Sequence, residues 1–508
     1  MADFCERCGS LLLWNFAGGR RVKKCPRCGF IDEPVIEDTP KMSGRSVRKG
    51  VSPRSSNYAR KAVGDRMLME REAESLSKDE TEDASTGTDV PQGTMFPFDK
   101  VRAGQMEFMT DVKRTVEEGG FLLANVPTGI GKTAASLSPA LEYALRNGKV
   151  VFFLTSKQSQ HAIAVNTLRR LSNRCGRKIR VVDVISKQSM CPREISSLPH
   201  YSFNFICRQQ AKDGRCPYYR NIPPSLLFEI GDDIMDTYEL KDLAIKSNVC
   251  PHKAALEASR NTDVIICDFN YLFSDLSSAV LKGMDRNLED VIIIVDEAHN
   301  LPDRIRSNQS QELTLKKLQE AQFECHHPYL KRKIKEMVEF IKGDAEKTLG
   351  DNPDVLLDKR IFISDILSLL SSSVDREFDA YTMMDMLKDE AKRSEASQEE
   401  NPLIFLRDFL KGLISLTESH ILYFETLEDK GIESLRLVYR NLDPGEISGP
   451  VFKKCHSAVL MSGTLAPPSM FGDVLGMKKS RRREREYPSP FPRRNRLTLI
   501  DSSVTSAY

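Results

Sequence analysis

The amino-acid sequence predicts an α/β fold organised around a parallel sheet. Three short runs, at 121–124, 150–154 and 291–295, contain only apolar residues, which is typical of strands buried on both faces of such a sheet. Each run leads directly into a loop that carries glycine, hydroxyl or carboxylate side chains. Parallel sheets bind ligands at the carboxyl ends of their strands, so these loops are the first candidates for a functional site.

Length and charge restrict the class of protein. At 508 residues the chain predicts roughly three or more domains. Lys and Arg (74) nearly balance Asp and Glu (72), so a nucleic-acid surface would have to be local. The chain has no apolar run near the ~18 residues of a membrane span and no apolar leader, which predicts an intracellular protein with no membrane partner, cytoplasmic or in the nucleoid, or nuclear in a eukaryote. Twelve cysteines in such a chain favour metal ligands over disulfides.

A phosphate-binding loop follows the first apolar run. The segment 127–133 reads Pro-Thr-Gly-Ile-Gly-Lys-Thr and opens a helical pattern, which places backbone N–H groups and a helix N-terminus around an anion. Lys132 would reach the β- and γ-phosphates of ATP, and Thr133 would hold Mg²⁺. Val126 stands where the strict motif has its first glycine, and a glycine turn without a ligand is the alternative. The nucleotide contacts are expected from Thr128, Gly129, Ile130, Gly131, Lys132 and Thr133.

A second motif, Asp-Glu-Ala-His, follows the run at 291–295. Asp296 would hold Mg²⁺ through water, and Glu297 would orient and activate the attacking water. The predicted catalytic residues are therefore Glu297, Asp296 and Lys132, and His299 would couple nucleotide state to movement elsewhere. The two motifs together predict a RecA-like P-loop ATPase lobe of the helicase type.

Three weaker signals surround this core. Ser462 and Thr464 follow a further apolar strand and could sense the γ-phosphate. Arg102 and Gln105 fall on one face of a predicted helix upstream of the phosphate loop, where they could contact adenine; ordinary exposed helix positions are the alternative. The polar segment 155–160 follows the second apolar run and could bind a nucleic-acid backbone.

The first hundred residues combine a metal-binding module with a charged linker. Cys5, Cys8, Cys25 and Cys28 form two Cys-x-x-Cys pairs, the spacing of a closed tetrahedral Zn²⁺ site. The segment between the pairs has the pattern of a β-hairpin, and free or redox-active cysteines are the alternative. The unit resembles the amino-terminal zinc ribbon of small RNA polymerase subunits and transcription factors, which implies docking on protein or nucleic acid. Residues 34–95 have no hydrophobic period, which predicts a disordered linker, basic and then acidic.

Six further cysteines lie between the second and third apolar runs. Cys175 and Cys267 sit near apolar runs and look like ordinary core thiols, which leaves Cys191, Cys207, Cys216 and Cys250. Prolines adjoin three of them, as the exposed loop of a metal cluster needs. Four cysteines can ligate an iron–sulfur cluster. Their irregular spacing leaves zinc or buried free thiols open.

The order of these motifs resembles that of the XPD-like branch of superfamily 2 helicases, which includes the bacterial DinG proteins, from residue 96 to the carboxyl end. The resemblance is carried by 102–105, 127–133, the four central cysteines, 263–271, 296–299 and 462–465. It implies a [4Fe–4S] cluster on Cys191, Cys207, Cys216 and Cys250, nucleotide contacts from Arg102 and Gln105, and single-stranded or forked DNA as a partner. Tyr218 and Tyr219 would then stack on bases or pack internally. The family unwinds DNA in the 5′ to 3′ direction with ATP, in repair or transcription.

Residues 302–447 show helical periods and no strand signal. The predicted helices are 313–323, 329–349, 361–370, 381–393 and 404–416. Their position between the Asp-Glu-Ala-His motif and Ser462 matches the helical arch domain of the family, which closes over the cluster domain around one DNA strand. Cys325, His326 and His327 are a further metal candidate that lacks a second half.

The carboxyl end predicts an incomplete second lobe. Residues 497–500 look like its first strand, and the chain stops at Tyr508 before the arginines that complete ATP hydrolysis in the family. The polypeptide alone is expected to bind nucleotide weakly and to unwind nothing. Truncation, a split gene and a two-chain helicase with a second-lobe partner are the explanations.

The predicted domains are a zinc ribbon (1–33), a disordered charged linker (34–95), motor lobe 1 in three parts (96–185, 256–301 and 448–484), an iron–sulfur domain (186–255), a helical arch domain (302–447) and the start of a truncated motor lobe 2 (485–508). The leading hypothesis is the ATP- and DNA-binding half of an iron–sulfur DNA helicase, with about four irons and one zinc per chain. The alternative is a non-processive nucleic-acid-binding adaptor that docks on transcription machinery through its zinc ribbon.

Overall fold

The computed structural model describes residues 13–17, 20–24, 31–32, 87–371, 379–393, 401–429 and 432–491. The chain divides into two compact units, Met1–Ala62 and Val63–Tyr508. None of the helices in these ranges combines the length and the apolar composition that crossing a membrane requires.

The first unit contains a small antiparallel sheet. Strand β1 (Leu13–Ala17) pairs with β2 (Arg20–Lys24), and β2 pairs with β3 (Ile31–Asp32). The predicted hairpin is therefore confirmed. The four candidate zinc ligands of this unit, Cys5, Cys8, Cys25 and Cys28, lie outside the described residues, as do residues 34–86 of the charged linker.

The second unit is built on a seven-stranded parallel sheet, the motor sheet. A short ribbon of β4 (Thr88–Asp89) and β5 (Lys100–Val101) precedes it. The strands of the motor sheet are β6 (Phe121–Asn125), β7 (Val150–Leu154), β8 (Val181–Val184), β9 (Val264–Cys267), β10 (Val291–Asp296), β15 (Ser457–Ser462) and β16 (Arg482–Glu486). The spatial order is β16-β6-β15-β10-β7-β9-β8, and every pairing is parallel. The predicted α/β class is confirmed.

Both faces of the motor sheet are buried, which explains its apolar strands. Phe152 belongs to the core on one face and Phe153 to the core on the other, and both are fully buried. The helices that begin the motor are α1 (Gln105–Glu118), α2 (Lys132–Asn147) and α3 (Gln158–Cys175). Successive strand residues point to opposite faces, so a sheet covered on both sides needs apolar residues at every position.

A helical segment between β8 and β9 carries the four central cysteines; we call residues 186–255 the cluster insertion. The helices of the insertion are α4 (Lys187–Met190), α5 (His200–Lys212), α6 (Pro224–Asp232) and α7 (Thr237–Lys246). A further helix, α8 (Pro251–Ala258), begins in the insertion and ends just after it. Helix α7 begins with a capping box, in which the Asp236 carboxylate accepts the N–H of Glu239 and the Glu239 side chain accepts the N–H of Asp236. After β9 come α9 (Ser277–Gly283) and α10 (Leu301–Asn308).

Residues 302–447, the arch insertion, contain the five predicted helices. They are α11 (Leu315–Glu324), α12 (Pro328–Leu349), α13 (Lys359–Leu370), α14 (Ala380–Arg393) and α15 (Pro402–Leu413). The insertion meets the cluster insertion where the Tyr201 and Phe405 rings lie 5.2 Å apart and the Ser202 hydroxyl accepts the N–H of Asn401 at 3.1 Å.

The prediction that the arch insertion has no strands was wrong. It contains a four-stranded antiparallel sheet, the insertion sheet, with the order β11-β14-β13-β12. The strands are β11 (Gln311–Thr314), β12 (Asp354–Leu357), β13 (His420–Asp429) and β14 (Ile432–Asn441). Strands β11 and β12 are four residues each and pair with partners far away in the chain. In β13, the buried Leu422 and Phe424 alternate with the half-buried Ile421 and Tyr423. All four residues are apolar, so this alternation is not visible in the sequence.

The motor sheet closes with α16 (Gly445–Lys454), β15, α17 (Pro468–Val474) and the edge strand β16. Strand β16 reads Arg-Arg-Glu-Arg-Glu and runs to Glu486, two residues past the predicted end of motor lobe 1 at 484. It carries no apolar residue, so no hydrophobic signal marks it. Residues 497–500, predicted to begin a second lobe, lie outside the described residues.

Candidate functional site

Three neighbouring strands of the motor sheet bring the main motifs to one edge. The strands β6, β15 and β10 are adjacent, and β15 lies between the other two. The phosphate loop follows β6, Asp296 ends β10 and Ser462 ends β15. Because all three strands are parallel, their carboxyl ends meet, and the groups that the sequence places in separate segments face one cleft.

The phosphate loop has the backbone geometry of an anion site. Gly129 (φ +89°) and Gly131 (φ +76°) adopt left-handed conformations, which side chains other than glycine rarely accept. Lys132 is the first residue of α2, so the loop ends at the positive end of a helix of 16 residues. Ile130 is fully buried in the core beneath the loop, so its side chain anchors the loop to the sheet.

Arg102 and Gln105 contact the phosphate loop directly. Gln105 is the first residue of α1, whereas Arg102 precedes the helix, so the prediction that both lie on one helix face was wrong. Arg102 Nη1 donates to the carbonyl of Gly129 at 2.9 Å, and Gln105 Nε2 donates to the carbonyl of Gly131 at 3.2 Å. Both side chains therefore fix the backbone of the loop. Beside them lies a small pocket lined by Gly87, Phe98, Lys100, Val101, Arg102, Gln105 and Gly131.

Lys132 and the two carboxylates converge at the mouth of the cleft. Lys132 Nζ lies 3.6 Å from Glu297 Oε1. Asp296 is 4% exposed and its Oδ1 accepts the N–H of Glu297 at 2.9 Å. Burial raises the pKa of Asp296 to about 6; Lys132 opposes that shift and Glu297 adds to it. A carboxylate pair next to one ammonium suits the binding of a metal–phosphate ligand.

Glu297 has a strained backbone. Its φ of 49° and ψ of 44° are left-handed, a conformation that a non-glycine residue rarely adopts and that is typical of functional sites. The surrounding contacts hold the residue in this conformation.

His299, Ser462 and Thr464, the residues predicted to respond to the nucleotide, lie around the second carboxylate oxygen of Glu297. Oε2 of Glu297 accepts the Ser462 hydroxyl at 3.2 Å and lies 3.4 Å from His299 Nδ1. His299 Nδ1 also lies 2.7 Å from Ser462 Oγ, and the N–H of Thr464 donates to that oxygen at 3.2 Å. His299, Ser462 and Thr464 thus form one network with Glu297.

Sequence reasoning missed one member of this network, Gln160. Its Nε2 lies 3.5 Å from Glu297 Oε1, and its Oε1 accepts the hydroxyl of Thr155. The segment 155–160 was predicted to contact a nucleic-acid backbone, and nothing in the sequence alone connects it to Glu297. The parallel pairing of β7 with β10 supplies that connection.

An aromatic ring packs on the phosphate loop. A Cβ on Gly129 would lie 2.8 Å from two ring atoms of Phe491 and 3.4 Å from Pro490, so glycine is needed here for contact as well as for conformation. Phe491 remains 48% exposed. The segment that follows β16 therefore returns across the nucleotide loop.

The four central cysteines share one neighbourhood. Burial raises the pKa of the Cys191 thiol to about 11, and Cys207 and Cys250 raise it further. Burial also raises the pKa of Cys250, with contributions from Cys207 and Cys216. Within the described ranges, no group of three or more His, Cys, Asp or Glu side chains is placed to hold one metal ion.

The two adjacent tyrosines that follow Cys216 differ in exposure. Tyr219 is 47% exposed, and Lys253 Nζ lies 5.0 Å from the centre of its ring. Tyr218 is half-buried, and its carbonyl accepts the N–H of Cys250 at 2.7 Å. Tyr219 can therefore offer a ring face to a ligand, whereas Tyr218 shapes the loop around the cysteines.

The candidate at Cys325, His326 and His327 has a structural role. Cys325 is fully buried, and the carboxylate of Glu390 accepts the N–H groups of His326 at 2.7 Å and His327 at 3.0 Å. Glu390 therefore anchors the turn between α11 and α12.

The sequence of the chain is similar to those of known helicases, which agrees with this geometry. Residues 153–318 match the DEAD_2 domain family. Two similar proteins are the ATP-dependent DNA helicases CHL1 of Meyerozyma guilliermondii, 26% identical over 357 residues (62% of this chain and 42% of that protein), and chl1 of Schizosaccharomyces pombe, 23% identical over 376 residues (64% and 43%). The chain thus spans about two-fifths of the length of these relatives.

A solved XPD helicase has the same fold. The two structures align with a TM-score of 0.51 at 20% sequence identity, over 77% of this chain and 63% of that one. The resemblance carried by the motifs is confirmed as a similarity: the chain matches the DEAD_2 domain family over 153–318, is similar to CHL1 helicases and shares the fold of an XPD helicase.

Proposed function

We propose that the chain is the ATP-binding and DNA-binding part of an ATP-dependent 5′–3′ DNA helicase of the XPD-like type, acting on DNA inside the cell in repair or transcription. The observation that carries the proposal is the 3.6 Å approach of Lys132 Nζ to Glu297 Oε1 at the carboxyl edge of the motor sheet. A phosphate-loop lysine and a water-activating glutamate have to meet at the same γ-phosphate.

In this proposal the nucleotide binds along the phosphate loop. The backbone N–H groups of 128–133 and the start of α2 hold the phosphates, and Lys132 neutralises their charge. Thr133 would hold Mg²⁺ through its hydroxyl and Asp296 would hold it through water, because this ion prefers oxygen donors and keeps several waters. Adenine would bind near Arg102 and Gln105, whose side chains keep the loop in shape.

Hydrolysis follows from the position of Glu297. Its carboxylate orients a water molecule and accepts the proton of that water. The water oxygen forms a bond to the γ-phosphorus, while the bond between that phosphorus and the bridging oxygen of ADP breaks. Ser462 and His299 hold the second oxygen of the carboxylate, so a change at the γ-phosphate is passed to the loop after β15. Unwinding by the whole protein would also use a second ATPase-like lobe, on this or another polypeptide.

The cluster insertion is proposed to bind a [4Fe–4S] cluster through Cys191, Cys207, Cys216 and Cys250. The fit rests on the donor set: four thiols lie in one neighbourhood, and their mutual influence appears in the raised pKa values of Cys191 and Cys250. The four thiolates of such a cluster bind four different irons, so they stand further apart than the ligands of one ion. When bound, the cluster would fix the loops that carry Tyr219 towards a DNA strand.

Metal analysis tests the cluster. Anaerobically prepared protein is expected to contain about four irons per chain, and Cys250→Ser should lose most of them. Cys455→Ser, at a buried thiol outside the insertion, should keep them. Zinc in place of iron in the wild type would contradict the assignment. The proposed Zn²⁺ site at Cys5, Cys8, Cys25 and Cys28 should add about one zinc.

Nucleotide binding tests the motor site. Lys132→Ala is expected to weaken the binding of a fluorescent Mg–ATP analogue by roughly 10- to 100-fold, because a charge-assisted contact contributes about 1.5–3 kcal/mol. The matched control is Lys149→Ala: Lys149 precedes β7 at the opposite edge of the sheet and pairs with Asp290 at 2.8 Å. Equal affinities for Lys132→Ala and the wild type would refute the proposed site.

A further inference from the structure

The first turn of α3 lies between two functional regions of the proposed motor. The loop 155–157 connects the carboxyl end of β7 to Gln158, the first residue of α3. Ser156 is half-buried and Lys157 is exposed, whereas Thr155 is fully buried. A hydroxyl and an ammonium on such a loop can bind a phosphate of the nucleic-acid backbone.

Gln160 touches both this loop and the catalytic carboxylate. Its Oε1 accepts the hydroxyl of Thr155, and its Nε2 donates towards Glu297 Oε1 at 3.5 Å. An amide has one acceptor and two donors on the same rigid plane. Any movement of Thr155 that turns this plane therefore also moves the hydrogen-bond donor that faces Glu297.

The residue after Gln160 anchors the turn. His161 is 4% exposed, and its Nδ1 lies 2.5 Å from Oδ1 of Asp183, which belongs to the edge strand β8. The other oxygen of Asp183 accepts the hydroxyl of Thr237 at 2.7 Å and the N–H of Thr237 at 3.1 Å, at the start of α7. The helix is thus fixed one residue beyond Gln160, so the Gln160 side chain can respond to the loop without displacement of the helix.

The other contacts of Glu297 come from the segments that follow β6, β10 and β15. Ser462 and His299 hold Oε2, and Lys132 lies on the side of Oε1. Gln160, in the first turn of α3, adds a contact from the segment that follows β7, next to the loop that is proposed to bind nucleic acid. A carboxylate held from several sides keeps one orientation, and loss of one contact changes where it points.

We propose that Gln160 is a positioning residue that couples a nucleic-acid phosphate on the loop 155–157 to the orientation of Glu297. The inference rests on the proposed function, because it needs nucleotide and single-stranded DNA to bind as described there. Phosphate binding at Ser156 and Lys157 shifts Thr155, and the Gln160 amide passes that shift to Glu297. By linkage, DNA must then change nucleotide affinity by the same factor by which nucleotide changes DNA affinity.

The test measures that factor in the full chain. The affinity for a fluorescent, non-hydrolysable Mg–ATP analogue is determined with and without saturating oligo(dT), and the ratio of the two values is the coupling. In the wild type we expect a ratio of about fivefold or more, the lower range of allosteric coupling. In Gln160→Ala the ratio should approach one, while the affinity for each ligand alone stays within about twofold of the wild type.

Two further variants separate coupling from folding. Gln160→Glu keeps the acceptor for Thr155 but has no donor for Glu297, so it should lose the coupling as Gln160→Ala does. Gln158→Ala, on the same turn of α3 and of the same residue type, should keep it. Thermal unfolding of all three variants should match that of the wild type.

The outcomes are distinguishable. A wild type that binds neither the nucleotide analogue nor oligo(dT) overturns the proposed function and, with it, this inference. Normal binding of both ligands with a ratio of one in the wild type overturns the inference alone. So does a Gln160→Ala variant that keeps the wild-type ratio, or a Gln158→Ala variant that loses it equally.

Discussion

The motor sheet and the insertion sheet belong to the same compact unit but use their edges differently. In the motor sheet, parallel strands bring the phosphate loop, Asp296 and Ser462 to one edge, where the charges are partly buried and act on each other. In the insertion sheet, antiparallel strands distribute their charges across the surface, as in the ion pair of Glu312 and Arg436 at 3.1 Å. A parallel sheet that is covered on both faces thus brings its charged and phosphate-binding groups together at the carboxyl ends of its strands. A sheet with one exposed face mainly provides a surface for packing.

The largest expected effect is on stability, and it compares a core residue of the motor sheet with an exposed residue of the insertion sheet. Phe153 is fully buried in β7 between Ile294 and Ile266 of the neighbouring strands. Phe153→Ala should lower the free energy of unfolding by about 3–5 kcal/mol, because it removes apolar surface and leaves a cavity. Leu356→Ala, on the edge strand β12 where Leu356 is 68% exposed, should change it by less than about 0.5 kcal/mol. Denaturant unfolding of both variants measures the difference, and similar losses would contradict the contrast.

The next effect concerns a carboxylate in each sheet. Glu297→Gln removes the proton acceptor and should lower ATP hydrolysis by about 10²-fold or more. Glu312→Gln should leave hydrolysis unchanged, because Glu312 lies on the insertion sheet and is 52% exposed. Phosphate release at saturating ATP is the measurement. Full activity of Glu297→Gln would remove the proposed role of that residue.

The smallest effect concerns the ion pair of the insertion sheet. A double-mutant cycle on Glu312 and Arg436 should give a coupling energy of about 0.2–1 kcal/mol, reduced by salt, since the glutamate is half exposed. Thermal unfolding of the two single variants and of the double variant provides the cycle. A coupling well above this range would mean that the insertion sheet is held by charge as strongly as the motor edge is.

The same contrast explains which elements could be predicted from sequence. The motor strands at 121–125, 150–154 and 291–296 were recognisable because burial on both faces demands apolar residues at every position. The insertion sheet was missed because its strands are short or only half-buried, and because β11 and β12 acquire their partners through long-range pairing. The helices around it were found, since a helix carries its whole pattern in one continuous segment.

Within the site, residue types were more predictable than contacts. Lys132, Asp296 and Glu297 belong to motifs whose spacing indicates their chemistry. The contact of Arg102 with the Gly129 carbonyl and that of Gln160 with Glu297 depend on which strands are neighbours, and spacing in the chain does not contain that information. His299 and Ser462 were assigned separately, and only the adjacency of β10 and β15 places them 2.7 Å apart.

The absence of apolar residues that conceals β16 in the sequence has a second consequence. An outermost strand with unsatisfied backbone groups can recruit a strand from another molecule, and charged side chains are a common defence against such pairing. Arg483 and Arg485 of β16 form ion pairs with Glu118 and Asp111 of α1, which bind the strand to its own domain. The same arginines and glutamates that conceal β16 in the sequence therefore also disfavour pairing of this edge strand with a strand of another molecule.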